Sequence, residues 1–402
     1  MLRLPIENTS DKKGEIMAEW KNYTLEEVCE RIYSGGTPST KHEEYWNGDI
    51  KWLSSGETSQ RFVYDTERKI TQEGVENSST KLATKGCTVV ATAGQGYTRG
   101  QASFLMTDTY MNQSVIACKA NENVILPLYL YYNLDSRYEE FRLLSDGTST
   151  RGGLSGWILK RMEIKLPPKS SQKKIIDILY SIDRKIEENK AINNNLEQQA
   201  KAIFKSWFID FEPFSNRKPS DWSVSTLGNV SIMGAGGDKP QNVSPIKTDL
   251  YEYPIYSNGL SNEGLYGFTD KPKISEESVT VSARGTIGFV CLRHIPYVPI
   301  VRLVTLIPKT EIVSAKYLYL WLKQLHITGT GTTQQQLTVP DFQKTEILVP
   351  SQKVVTLFTA TVEPIFEKIW ANQNENEKLS SLRDTLLPKL MSGEIDVSDI
   401  DL

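Results

Sequence analysis

The stretch IKLPPKSSQKKIIDIL at residues 164–179 returns near the end of the chain as ILVPSQKVVTLF at residues 347–358, and this duplication constrains the fold more than any other feature. With Gln172 laid on Gln352, a separation of 180 residues, the apolar positions coincide: Ile175 with Val355, Ile178 with Phe358, Ile182 with Val362. Two equivalent amphipathic helices are expected to begin there. Positions 175, 182, 189, 196 and 203 form one heptad position in the first. Val355, Phe358, Val362, Ile365 and Ile369, then Leu379 and Leu386, carry the second. Ile175, Ile182, Leu196, Ile203, Val355, Phe358, Val362 and Ile369 are the expected coiled-coil seam and partner platform.

Amides interrupt both seams midway, at Asn189, Asn193, Asn194 and Asn195 in one and at Asn372, Gln373, Asn374 and Asn376 in the other. Buried amides at seam positions favour one register and partner over others, so the seams are expected to pair with each other. The alternative is two unrelated amphipathic helices on separate cores. Pro364 is a blemish, because inside a helix it removes a hydrogen bond and kinks the axis.

The repeat continues upstream with a different offset, as duplicated domains of unequal length would. EWKNYTLEEVCERIYSGGTPS from Glu19 is answered by DWSVSTLGNVSIMGAGGDKP from Asp221. β-branched runs ending in glycines follow, TVVATAGQG from Thr88 and VTVSARGTIG from Val279. Each precedes a Tyr-rich helix, PLYLYYNL and AKYLYLWL. A Gly/Thr loop, DGTSTRGGL from Asp146 or GTGTTQQQL from Gly329, then leads back to the strand before the proline. The expected fold is mixed α/β: two α/β domains joined by two long antiparallel coiled-coil helices with a pseudo-two-fold relation. Expected boundaries are an extension without periodicity and disordered at 1–16, a first domain at 17–168, a first helix at 169–212 and a linker at 213–221. A second domain at 222–350, a second helix at 351–392 and an acidic tail at 393–402 complete the chain. Met17 is a candidate alternative start.

Composition is that of soluble globular protein, and no run approaches the ~18 apolar residues a membrane helix needs, which points to the cytoplasm. Four cysteines and three histidines are scattered without CxxC or zinc-ligand spacing. The cysteines read as reduced packing residues. A net charge of −3 argues mildly against nucleic acid, but the mean conceals segregation. Residues 157–190 hold nine Lys/Arg against five Asp/Glu, whereas the last twelve residues carry Glu394, Asp396, Asp399, Asp401 and no base.

The two junctions, the KAIFKSWFIDFEPF ending of the first helix and the LRDTLLPKLMSGEI ending of the second resemble the specificity subunit of type I restriction-modification systems, from about residue 17 to residue 395. The resemblance implies two target-recognition domains that read a bipartite, asymmetric duplex site, and helices that bind two modification (adenine methyltransferase) subunits and, through them, ATP-dependent restriction subunits. It implies a non-catalytic subunit without a cofactor of its own, with S-adenosylmethionine, ATP and Mg2+ held by the partners. Two alternatives stay open: a specificity protein of a methylation-only or reorganised system, and a self-sufficient nuclease or methyltransferase.

Enzyme motifs are scarce. No [ND]-P-P-[FY] tetrad or P-loop exists, and GQGYTRG from Gly94 spaces its glycines wrongly for a dinucleotide fingerprint. Glu163-Ile-Lys165 imitates a nuclease spacing, but the second copy, Glu346-Ile-Leu348, lacks the lysine, so a structural strand is the better reading. For DNA contact the polar loops in equivalent places stand out. In the first domain these hold Ser34, Thr37, Ser39, Lys41, Tyr97, Thr98, Arg99, Gln101, Thr148, Ser149, Thr150 and Arg151. In the second they hold Lys239, Gln241, Arg284, Thr286, Thr332, Thr333, Gln334, Gln335 and Gln336. Arg reads guanine and Gln reads adenine bidentately, while Ser, Thr and backbone N–H groups hold phosphates.

Helices of ~35 residues at ~1.5 Å per residue would span ~50 Å, enough to place two readers about one DNA turn apart. Inserting one heptad into both, near Asn193 and Gln373, should therefore lengthen the unread gap of the target and leave both half-sites intact. Single-molecule methylome sequencing of a host carrying the insertion reads this out, and unchanged spacing would place the ruler elsewhere.

Overall fold

The computed structural model describes residues 20–94, 96–146, 154–329 and 335–398, so the extension at 1–16 lies outside them. The chain divides into two compact units, Met1–Glu187 with Glu375–Leu402, and Glu188–Asn374. The division falls inside both long helices. Each unit is thus a mixed α/β domain with one end of each helix, a grouping that patterning along the sequence does not reveal.

In the first unit a sheet of five strands runs in the order Cys29–Ser34, Val115–Ala120, Thr88–Ala91, Ala102–Leu105, Phe62–Val63. A second sheet is ordered Arg68–Ile70, Trp46–Leu53, Thr109–Met111, Lys81–Ala83. The second unit repeats the plan with fewer strands: Ser231–Ala235, Leu303–Pro308, Ser278–Ser282, Val290–Arg293 in one sheet, and Leu265–Thr269, Tyr253–Tyr256, Val298–Pro299 in the other. One parallel pairing recurs, Trp46–Leu53 with Thr109–Met111 and Tyr253–Tyr256 with Val298–Pro299; a second, Phe62–Val63 with Ala102–Leu105, belongs to the first unit. A short antiparallel pair closes each domain, Lys21–Thr24 with Glu163–Leu166 and Ser223–Thr226 with Glu346–Val349. Glu163 and Lys165 therefore stand in a strand that ties the domain's start to its end.

Strand alternation decides what each face meets. Val90, Phe104, Ile116 and Cys118 join Tyr129 and Leu130 of the helix Pro127–Asp135 in one core, whereas Val89, Leu105, Val115 and Ala117 join Leu53 and Met111 in another. In the second unit Val279, Val281, Val304 and Leu306 face the helix Ala315–Gln324. The reverse face there is polar and buried: Ser278, Thr280, Ser282 and Arg293. All four cysteines are buried and free of disulfides.

The repeated glycine pairs have one physical cause. A Cβ on Gly35 would lie 1.9 Å from the carbonyl oxygen of Met111, and one on Gly236 would lie 2.0 Å from that of Ile300. Both mark the place where the chain leaves the first sheet and crosses against the second, so near that only glycine fits.

The duplicated glutamine is a clamp in one copy and a remnant in the other. Gln172 is buried, accepts from Leu126 N at 2.9 Å and donates to the carbonyls of Pro167 and Val124 at 3.1 and 3.3 Å. Gln352 is exposed and donates to Thr310 O at 3.3 Å.

The long helices are Lys169–Phe208 and Gln352–Ser392, the second unbroken across Pro364. Their partners run in opposite directions within each unit. Asp183 meets Arg383 and Lys185 meets Glu375 in the first; Asn193 meets Asn372 and Phe204 meets Phe358 in the second. The amide layer is ordered: Asn372 Nδ2 donates to Asn193 Oδ1 at 2.8 Å, and Asn193 Nδ2 donates to Ile369 O at 3.1 Å.

Ile175, Ile182, Val355, Phe358, Val362 and Ile369 are buried, while Leu196 and Ile203 are half-buried. Past the amides the first helix turns Ala200, Phe204 and Phe208 inward instead, because an α-helix of 3.6 residues per turn drifts ~20° per heptad from a strict seven-residue repeat. The six buried seam residues are covered within this chain.

The first helix also ends earlier than the expected 212. Phe211 adopts a left-handed backbone (φ 57) and a short 3-10 turn, Glu212–Phe214, follows. The stretch expected as a linker is packed: Phe214 and Phe211 ring Trp222 at 5.0 and 5.9 Å, and Trp222 lies 5.6 Å from Phe208. The acidic tail is partly docked as well, with Val397 buried and Lys174 donating to Ser398 O.

Charge fastens each domain to the helices. Asp183, buried, receives Tyr132 Oη at 2.8 Å and an Arg383 guanidinium nitrogen at 2.9 Å, with Arg61 Nε 3.2 Å away. Arg61 also pairs with Asp135 at 2.9 Å. Burial raises the Asp135 carboxyl against the pull of Arg61, and burial followed by the neighbouring Asp183 raises the Tyr132 phenol. The equivalent position in the second helix, Glu363, takes a buried lysine instead: Lys316 Nζ lies 3.0 Å from Glu363 and 2.7 Å from Glu277. His294 stacks on Trp370 beside it, centroids 4.0 Å apart; burial, then Lys316 and Arg293, pull its imidazole down to about 4 and keep it neutral.

Asp183→Ala leaves Arg383 and Arg61 short of their shared anion, and breaking a buried pair costs about 3–5 kcal/mol. Urea unfolding of the full chain checks this. A loss under about 1 kcal/mol, the worth of an exposed pair, would show that water relaxes the cluster.

Candidate nucleic-acid interface

Sheet topology gathers the candidate loops. Ser34 and Val90 both register on Ile116, so the strands Cys29–Ser34 and Thr88–Ala91 run parallel and end at one edge of the sheet. The loops at 35–41 and 92–100 leave from that edge. Leu154 N donates to Thr92 O at 3.1 Å and so ties the end of a third loop to the same place. The second unit reproduces this bond by bond. Ala235 and Val281 both register on Val304, loops 236–241 and 283–288 leave together, and Leu337 N donates to Ala283 O at 2.8 Å. Each domain therefore offers two polar loops from one sheet edge, with Leu154 or Leu337 bonded beside them.

Individual candidates differ in what they can still reach. Lys41 is exposed. Thr37 gives its hydroxyl to Gln113 at 2.5 Å, and Ser39 spends its carbonyl on the Trp46 indole at 3.2 Å. Tyr97 is 83% exposed at the tip of its loop. The backbone beneath it is pinned: Arg142 donates to Gly96 O at 2.7 Å and Tyr138 Oη donates to Tyr97 O at 3.0 Å. Thr98, Arg99 and Gln101 are half-buried, and Gln101 turns its Oε1 inward, with no partner among the described residues. Ser34, at the strand end, is half-buried too.

In the second domain Lys239 and Gln241 are exposed, and Lys239 Nζ lies 5.8 Å from the centre of the Tyr266 ring. Gln335 and Gln336 are exposed. Arg284 and Thr286 are half-buried and bonded to Asn258, which donates to Arg284 O at 2.8 Å. Thr148, Ser149, Thr150, Arg151, Thr332, Thr333 and Gln334 lie outside the described residues.

Sequence reading passed over the residues that hold these loops: Tyr138, Arg142 and Asn258. Asn258-Gly259 is a turn dipeptide and was detectable as such. Arg142, on the helix Tyr138–Asp146, gives no local signal, because its partner is a backbone carbonyl distant in sequence.

The family model for the type I restriction modification DNA specificity domain matches residues 17–198 and again 219–379. The chain belongs to that family. The double match coincides with the duplicated domains, and each match carries its domain into the helix that follows. Among curated relatives, the type I restriction enzyme MjaIX specificity subunit of Methanocaldococcus jannaschii is 29% identical, over 96% of this chain and 96% of its own length. The HindI specificity subunit of Haemophilus influenzae is 25% identical over 94% and 100%. The crystal structure of a type I restriction-modification S subunit from M. genitalium superposes with a TM-score of 0.56 at 17% identity, covering 92% of this chain and 96% of that one, which shows a shared fold. The specificity family therefore accounts for the duplicated domains and for both helices.

With its side chain in solvent and its backbone tied, Tyr97 is expected to tolerate alanine within about 0.5 kcal/mol of unfolding free energy. Tyr138→Phe, which deletes the hydroxyl beneath it, should cost about 0.5–1.5 kcal/mol. Paired urea titrations decide. A larger loss for Tyr97→Ala than for Tyr138→Phe would mean that the tip packs on the protein.

Proposed function

We propose that this chain is the DNA-reading subunit of a type I restriction-modification complex, in which each domain reads one half of a bipartite, asymmetric target through the loops at its sheet edge. One observation carries the reading: the same strand register and the same backbone bond gather two equivalent loops in both domains while the side chains on those loops differ. A common scaffold with divergent tips is what two readers of different base sequences require.

The chain itself performs no bond chemistry in this proposal. Modification subunits supply S-adenosylmethionine and flip the adenine out of the duplex, and restriction subunits supply ATP and Mg2+ chemistry, in the cytoplasm. They dock on the outward faces of the long helices, where Ile192, Leu357 and Leu382 remain exposed, since the seam is already used inside the chain. No helix among the described residues is long and apolar enough to cross a membrane.

Replacing residues 222–349 by the corresponding domain of a relative should change one half of the methylated motif and leave the other half intact. Base-edge hydrogen bonds reach only about 3 Å, so each half-site answers to its own loops. Methylome sequencing of a host carrying the hybrid with its modification subunit gives the result. A hybrid that rewrites both halves, or a parent chain that yields no bipartite motif, would overturn the two-reader proposal.

A further inference from the structure

We propose that Asn258 is a positioning residue for the reading turn at 284–288 of the second domain: it aims the turn at the duplex without touching DNA. The inference rests on the DNA-reading role given above. Asn258 grips the turn from both sides. Its Nδ2 donates to the carbonyl of Arg284 at 2.8 Å, and its own carbonyl accepts from Thr286 Oγ1 at 2.5 Å. Between those two residues Gly285 has φ +77, and a Cβ there would stand 3.2 Å from the same Nδ2. The direction in which residues 284 and 286 leave the backbone is therefore set by one amide from another loop.

That amide is itself held. Ser257 Oγ donates to Asn258 Oδ1 at 3.2 Å, and Ser257 N donates to Gly264 O at 2.8 Å, closing the loop on itself. The loop contains two non-glycine residues with left-handed backbones, Asn262 (φ 46) and Glu263 (φ 54), conformations that persist only where the surroundings over-determine them. Arg293 supplies the constraint. Its buried guanidinium donates to Glu263 Oε2 at 3.0 Å, to Glu263 O at 2.7 Å and to Thr280 Oγ1 at 3.0 Å, and it lies 3.6 Å over the Tyr256 ring. An unbroken line of bonds thus runs from the sheet through Arg293 and the loop at 257–264 to Asn258 and the turn. Rigid support of this kind is what precise readout demands, because a reading side chain misplaced by about an ångström loses its bidentate geometry.

The test uses the full chain and a library of randomised DNA duplexes. Sequencing the bound fraction gives the preferred duplex, and titrations with single-base substitutions in each half then give a discrimination ratio for each half-site. Asn258→Asp keeps the volume, removes the donor and sets an anionic oxygen against the Arg284 carbonyl. Discrimination at one half-site is expected to fall about ten-fold or more, the worth of one misaligned base contact, with the other half-site unchanged. Thr286→Val, which deletes the hydroxyl that the Asn258 carbonyl accepts, should act like Asn258→Asp; this second variant tests the latch even if Asn258 itself tolerates no substitution.

Unchanged discrimination in both Asn258→Asp and Thr286→Val overturns the proposal. Equal loss at both half-sites also overturns it, since that is the signature of a general folding defect. A parent chain that enriches no sequence overturns the DNA-reading role beneath it, and that result is distinct from the other two.

Discussion

A carboxylate on each long helix, Asp183 and its equivalent Glu363, is the point on which both domains are fastened. Desolvating a carboxylate is costly, and a hydrophobic contact of similar size is often as stable. What the apolar contact lacks is direction. Ile175, Leu179 and Ile182 would pack almost as well with the domain rotated on the helix, whereas Asp183 must meet Tyr132 Oη at 2.8 Å and an Arg383 nitrogen at 2.9 Å together. The second domain reaches the same end with the charges dealt differently: Lys316, from the Tyr-rich helix, enters between Glu363 and Glu277. The position of the acid survives duplication, and the cation it binds does not.

Above these anchors the scaffold is kept through backbone geometry more than through side chains. The glycine pairs allow one sheet to cross against the other, and the bonds from Leu154 N to Thr92 O and from Leu337 N to Ala283 O fasten equivalent residues to the same sheet edge. None of these depends on which residue occupies a loop tip. The interior between the sheets, by contrast, diverged: it is apolar around Leu53, Leu105 and Met111 in the first domain and polar around Thr280 and Arg293 in the second. The loops at that edge can therefore change without disturbing the frame that presents them.

What the sequence disclosed follows the same division. Strands at Thr88–Ala91 and Ser278–Ser282, the Tyr-rich helices and the two long helices were legible because β-branched runs, 3.6-residue periodicity and the repeated proline-glutamine junction are local signals. The Asp183 cluster was not, since Arg61, Asp135 and Arg383 come from three remote segments and no spacing links them. Heptad counting marked Leu196 and Ile203, which pack half-buried against the core, while the helix buries Ala200 and Phe204 more fully, a drift that grows with distance from the starting residue. The stretch expected as a linker misled for a chemical reason: its turn formers are real, but Phe214 within it and Phe211 and Trp222 beside it pack it into a core.

Because the units divide the helices between them, the first domain is completed from the far end of the chain and the second by the helix that precedes it as well as the one that follows it. The first domain's core includes Leu387, Leu390, Met391 and Val397, which come from the far end of the chain, and its buried Asp183 depends on Arg383. The second domain's core takes Ala200, Phe204 and Phe208 from the helix that follows the first domain. A chain ending after Pro213 would keep the first domain's loops and sheets yet leave Asp183 without one of its arginines and an apolar surface without its cover. Its folding would then depend on finding a substitute for residues 383–397. The repeated helix is the obvious source of chemically similar residues, but at the position equivalent to Arg383 it carries Ile203, which brings no charge. The duplicated halves have thus become complementary, each built around a cation or an aromatic ring that its own copy of the repeat does not provide.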